Sequence, residues 1–139
     1  MPDLTRFGVS LPTQLINAFD ECIEKRGYRK RSEAIRDMMR DYLVEREWED
    51  GTGEVVGTIT IVYDHHTREL SNTLNELQHN RHDDIVCSTH IHMDEHNCLE
   101  VIIVKGTSQD VMSMADRLIS IHGVIHGKLV CTTTGRELK

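Results

Sequence analysis

Arg6-Phe7-Gly8-Val9-Ser10-Leu11 alternates polar or small residues with apolar ones. A period of two marks a strand with one dry face, here Phe7, Val9 and Leu11, and one open face, Arg6, Gly8 and Ser10. Pro12 follows where a helix can begin. Leu15, Ile16, Phe19, Cys22 and Ile23 then recur at helical spacing, and Gly27 suits the position just past a helix end. Ser32 suits the N-cap of a second helix, whose apolar stripe is Ile35, Met38, Met39, Tyr42 and Leu43. The order is strand, helix, helix.

Such a unit buries too little surface to stand alone. Its single strand also leaves backbone groups unpaired. A two-fold dimer with the two strands paired antiparallel solves both problems. The two-stranded ribbon so made fits the major groove of DNA. The stretch from Lys25 to Arg31 holds five basic residues and no acid, although the whole chain carries a formal charge of −7. That total argues against a protein that coats nucleic acid. The unit, with Gly27-Tyr28 and Arg31-Ser32-Glu33-Ala34-Ile35-Arg36-Asp37, resembles the ribbon-helix-helix repressors. The resemblance implies that Arg6, Gly8 and Ser10 lie in the groove of double-stranded DNA. It also implies that the second helix aims its N-terminus, near Ser32, at a phosphate. Arg29 and Lys30 add sequence-independent phosphate contacts. Gly8 departs from the pattern, since relatives often carry a hydroxyl residue there; glycine allows closer backbone approach instead.

Glu49-Asp50-Gly51-Thr52-Gly53-Glu54 breaks the periodicity and reads as a linker at 49–53, between modules 1–48 and 54–139. Beyond it, Glu54 to Tyr63 reads as a strand, Arg68 to His79 as a helix with Leu70, Leu74 and Leu77 in its stripe, and Asp84 to Met93 as a strand. Asp94-Glu95-His96-Asn97 is a turn, which makes the next strand, Cys98 to Lys105, antiparallel to the last. Val111, Met114, Ala115, Leu118 and Ile119 mark another helix, Gly123 stops it, and Val124 to Thr133 is a final strand. The order β-α-β-β-α-β is a ferredoxin-like, ACT-like domain with its helices on one face. The chain as a whole is α+β. An oligomer interface would cover the open face of its sheet.

All nine histidines fall between His65 and His126. In His90-Ile91-His92 both imidazoles leave one face of a strand. Cys98 opens the neighbouring strand, within cross-strand reach, and His79 ends the preceding helix. Imidazole suits nickel, copper and zinc, and thiolate selects against magnesium and calcium. Leu77-Gln78-His79, Thr89-His90-Ile91-His92, Asn97-Cys98-Leu99-Glu100-Val101 and Lys105-Gly106 together resemble the nickel-responsive regulators, over essentially the whole chain. That resemblance implies a transcriptional repressor of nickel-uptake genes. One Ni2+ per chain would be held in a square plane by His90, His92 and Cys98 of one chain and His79 of a neighbour. It implies a homotetramer, a dimer of ribbon-helix-helix dimers, on an inverted-repeat operator. Glu33 and Asp37 match a second, weaker cation site, for an ion such as K+, at the junction of the modules.

His65, His66, His82, His96, His122 and His126 read as surface residues. Cys22 and Cys87 read as core and Cys131 as structural. No secretory segment or membrane span is visible, which places the protein in the cytoplasm with reduced cysteines. The alternatives are a ribbon-helix-helix regulator of a small organic effector and a nickel or copper carrier that only borrows the dimer arm. The dense histidines weigh against the first and the basic run against the second. No nucleophile–base pair or phosphate loop supports an enzyme.

Overall fold

The computed structural model describes residues 3–80 and 84–139. His82, read above as a surface residue, lies outside them. The chain separates into two compact units, one running to Leu43 and including Glu137–Lys139, the other Val44–Arg136.

The first unit contains α1 (Thr13–Lys25) and the start of α2 (Arg31–Asp50). Helix α1 follows Pro12, whose ψ of 136° is extended. It ends as a Schellman turn: Gly27 takes φ 90°, and the Tyr28 N–H donates to the Ile23 carbonyl at 3.0 Å. Ser32 is not the cap of α2. The Ala34 N–H donates to the Lys30 carbonyl at 3.4 Å, so the helix is under way before residue 32, and Ser32 sits exposed in its first turn. Arg31 grips Asp20 of α1 with both arms of its fork, at 2.7 and 2.6 Å, which fixes the start of α2.

Residues 6–11 form no strand, because among the described residues none runs beside them to supply a hydrogen-bonded ladder. Phe7, Val9 and Leu11 are exposed, as are Leu15, Met38, Met39, Tyr42 and Leu43 of the two helical stripes. Leu11, Ile16, Phe19, Ile35, Met38 and their neighbours line an apolar hollow of about 620 Å³. Cys22 is exposed with them, which corrects its reading as core. Two helices alone offer no second layer under which to bury such a stripe.

The second unit opens with the last turns of α2. It continues with β1 (Val55–Asp64), α3 (Arg68–Asn80), β2 (Ile85–His92), β3 (Asn97–Gly106), α4 (Ser108–Ile119) and β4 (Val124–Thr132). Every neighbouring pair in the sheet is antiparallel, and the strand order is β2-β3-β1-β4. This is the expected split βαβ arrangement. Alternation decides what each strand buries. Val55, Gly57, Ile59, Ile61 and Tyr63 of β1 are buried, with Cys98, Glu100, Ile102 and Val104 of β3. Leu70 and Leu74 of α3 and Val111, Met114, Ala115 and Leu118 of α4 complete that core. Each large aliphatic side chain so enclosed contributes about 1.5–3 kcal/mol. Gly57 permits a close approach, since a Cβ there would stand 2.8 Å from a methyl of Val111. Trp48 of α2 joins the core and donates its indole N–H to the Thr132 carbonyl at 2.9 Å. The other face of the sheet leaves Ile91 and Val130 exposed. Cys87 is also exposed, near an irregularity in the β2–β3 register, so its reading as core is corrected too.

Candidate metal centre

The β2–β3 register sets the site. His92 lies opposite Cys98 and His90 opposite Glu100, while on the far side of β3 Cys98 faces Tyr63 of β1. Directly opposed residues share a face, so His90, His92, Cys98 and Glu100 all project from one side of the sheet. The Sγ of Cys98 is 3.5 Å from His92 Nδ1. The rings of His90 and His92 are 5.0 Å apart. Cys98 is buried, whereas both imidazoles are exposed. Burial first, then the carboxylates of Asp64, Asp94 and Glu100, push the Cys98 thiol above its usual range. A thiol so placed becomes a thiolate when a cation replaces its proton.

Three more residues close in on this row. His65, one residue beyond β1, sets its ring edge-on to His92 at 5.4 Å. Tyr63 lies 6.0 Å from the His90 ring and donates to Glu100 Oε2 at 3.3 Å. Gln78 of α3 donates to Glu100 Oε1 at 3.1 Å. The buried carboxylate of Glu100 thus ties the end of α3 to the sheet. Burial, then the charge of Glu100, drives the Tyr63 hydroxyl far above its usual range. His79, the residue after Gln78, is exposed near the end of α3.

Among the described residues, two groups of three donor side chains hold their ligand atoms within 4.8 Å of one another: His65, His92 and Cys98, and Asp64, His65 and His66. One chain therefore brings together two of the four expected ligands, His92 and Cys98, with His90 beside them. Neither group includes His79. The donor chemistry fits nickel, because imidazole and thiolate are the ligands that this borderline ion favours over hard cations.

Two family models match the chain. Residues 5–46 match the ribbon-helix-helix proteins of the copG family, and residues 56–132 match the NikR C terminal nickel binding domain. A protein of Thermococcus onnurineus is 60% identical over 135 residues, 97% of this chain and 98% of its own length. One of Geobacter metallireducens is 53% identical over 138 residues, 99% of each chain. Both are named "Putative nickel-responsive regulator". The chain belongs to the nickel-responsive regulator family. A solved structure of an uncharacterized Thermotoga maritima protein, 22% identical, matches with a TM-score of 0.51 over 57% of this chain and 98% of that one, a likeness of fold alone. Membership sets the chain among regulators rather than enzymes.

In this family member, the residues expected at DNA are all solvent-facing: Arg6, Gly8 and Ser10 in the N-terminal segment, Arg29 and Lys30 in the turn between helices, and Ser32 at the start of α2. Of the expected cation pair, Glu33 is exposed. Asp37 accepts from the Tyr28 hydroxyl at 2.7 Å and pairs with Arg40 at 3.7 Å. That hydrogen bond also raises the Tyr28 pKa.

His65 and Glu100 were the residues that sequence reasoning passed over. Both had a signal. His65 continues the odd-numbered buried row Ile59, Ile61, Tyr63, and Glu100 sits in the even-numbered buried row of β3 between Cys98 and Ile102. A lone carboxylate in such a row needs partners, and it has two.

The turn that carries Cys98 is held by Asp94. Its Oδ1 accepts the backbone N–H of His96 and of Asn97, each at 2.8 Å, and its Oδ2 accepts the Asn97 amide at 3.0 Å. The Asn97 N–H first, then that of His96, lower its pKa from 3.8 to about 2. The folded value lies below the unfolded one, so Asp94 stabilises the fold above pH 3.8 and that contribution fades as pH falls toward about 2. Asp94→Ala is expected to lower the melting temperature at pH 7 and to flatten the acid limb of stability against pH. Identical acid limbs for the two proteins by circular dichroism would refute this.

Proposed function

We propose that this chain is a nickel-responsive DNA-binding repressor of nickel-uptake genes, working in the cytoplasm as a homotetramer. The observation that carries the reading is the hairpin itself. His92 Nδ1 stands 3.5 Å from the Cys98 thiol, with the His90 ring 5.0 Å from that of His92. In this reading His90, His92 and Cys98 of one chain and His79 of a neighbour hold one nickel ion in a square plane. A ligand drawn from a second chain gives the metal a differential affinity for one arrangement of chains, which any such switch requires. The module 1–48 pairs with its copy through Phe7, Val9 and Leu11, and Arg6, Gly8 and Ser10 then face the DNA bases. Arg29, Lys30 and Ser32 meet phosphates. The module 54–139 assembles the core, and 49–53 joins the two. Glu33 and Asp37 form a weaker site for a cation such as K+, and the Tyr28 and Arg40 partners of Asp37 would have to rearrange to admit it.

The test pairs metal analysis with footprinting. The purified protein should hold one nickel per chain and, only when loaded, protect an inverted repeat with two separated half-sites. Equal protection with and without nickel would return the chain to the small-effector alternative.

A further inference from the structure

The segment between α1 and α2 is pinned on both sides of its two central basic residues. Lys25 to Arg31 holds five positive charges and no acid. Like charges so close repel one another, so the segment left to itself would open out. Two carboxylates outside it hold it closed. At its far end Arg31 grips Asp20 of α1, at 2.7 and 2.6 Å. Before that, the Tyr28 hydroxyl donates to Asp37 Oδ2, on the second turn of α2, at 2.7 Å. A phenol donating to a carboxylate makes a charge-assisted hydrogen bond, shorter and stronger than one between neutral groups. Tyr28 and Asp37 are both half-buried. The backbone of Tyr28 is fixed as well, by Gly27 at φ 90° and by its own N–H on the Ile23 carbonyl. The other oxygen of Asp37 faces Arg40 at 3.7 Å, which steadies the carboxylate. Arg29 and Lys30 are the two residues between these pins, and both are exposed.

We propose that Tyr28 is a positioning residue for DNA: by latching the turn to Asp37 it sets the backbone from which Arg29 and Lys30 reach phosphates. The proposal rests on the reading of those two side chains as phosphate contacts, and it names what prepares them. A basic side chain on a loose turn must lose its freedom when it meets DNA, and each group so ordered costs affinity. A turn already held has less to lose. The latch brings no charge to the interface, so it changes affinity without changing the number of phosphates neutralised. It also gives Asp37 a use that needs no cation.

The experiment measures binding of the full-length, nickel-loaded protein over a salt series, to the inverted repeat found by footprinting and to an unrelated duplex. Tyr28→Phe keeps the ring and removes only the hydroxyl, so fold and nickel content should match wild type. Its affinity should fall about three- to tenfold on both DNAs, with the slope against salt unchanged. Arg29→Ala should instead lower that slope by about one. Asp37→Ala should lose at least as much affinity as Tyr28→Phe, and the double variant should bind no more weakly than Asp37→Ala. In the free protein the backbone amides of residues 28–31 should exchange faster in Tyr28→Phe than in wild type, a readout that uses no DNA. Unaltered exchange, a slope lowered as in Arg29→Ala, or losses that multiply in the double variant overturns the proposal. Wild type that binds neither DNA refutes the regulator reading and this role with it. Wild type that binds and is matched by Tyr28→Phe refutes this role alone.

Discussion

Cys98→Ser should abolish the thiolate-to-nickel absorption band and the effect of nickel on DNA binding, while leaving the fold intact. Cys98 is the sole sulfur donor in the β2–β3 row, buried at a position paired with His92 on one side and Tyr63 on the other. Serine is nearly isosteric, so the core keeps its shape. Its hydroxyl has a pKa too high for a cation of this kind to ionise readily, whereas the thiol, even raised by burial, yields its proton to nickel. Loss of the only anionic donor should weaken nickel binding by at least about a hundredfold, an effect larger than the ten- to hundredfold typical of supporting residues. Dialysis against nickel with a gel shift at saturating metal measures both effects. A serine variant that still shows the band and still responds to nickel removes Cys98 from the centre.

Arg6→Ala should abolish specific operator binding and leave nickel binding and assembly unchanged. Arg6 is the one charged side chain on the open side of the 6–11 stretch and is exposed to solvent. A bidentate arginine contact with guanine discriminates by about 1–3 kcal/mol. The tetramer proposed above, with two paired arms, would present four such side chains, so their loss together should leave only salt-sensitive, sequence-independent binding. Arg29→Ala and Lys30→Ala provide the contrast: each should weaken binding to every sequence alike and lower the salt dependence. Operator affinity unchanged by Arg6→Ala would place base recognition elsewhere in the arm.

The second unit was readable because its signals are local and agree with one another. Alternation along β1 and β3, stripes at 3.6 spacing in α3 and α4, and the short Asp94–Asn97 turn each specify their own segment, and together they admit one topology. The His92–Cys98 contact followed from the hairpin, since a four-residue turn fixes which residues face each other. The first unit was less readable for a physical reason. The 6–11 stretch has the pattern of a strand, yet pairing is a property of two segments, and no pattern within one segment supplies the second. Its helical stripes, like Cys22, were assigned to a core that one chain cannot close. Ser32 has the chemistry of a cap, but the Arg31–Asp20 fork draws the start of α2 two residues earlier. His65 was lost among nine histidines, because what distinguishes it is the parity of β1 rather than its own neighbours in sequence.

The four thiols fall into two kinetic classes. Cys22, Cys87 and Cys131 are exposed, and Cys98 is buried at 0%. An alkylating reagent offered to the folded chain should consume the first three quickly and reach the fourth only as fast as the hairpin opens. The slow phase is then a clock for local opening around the metal-binding row, readable without a mutation or a bound ion. The fast phase sets a handling rule, because three accessible thiols per chain cross-link in air and would assemble copies in ways that imitate a native oligomer.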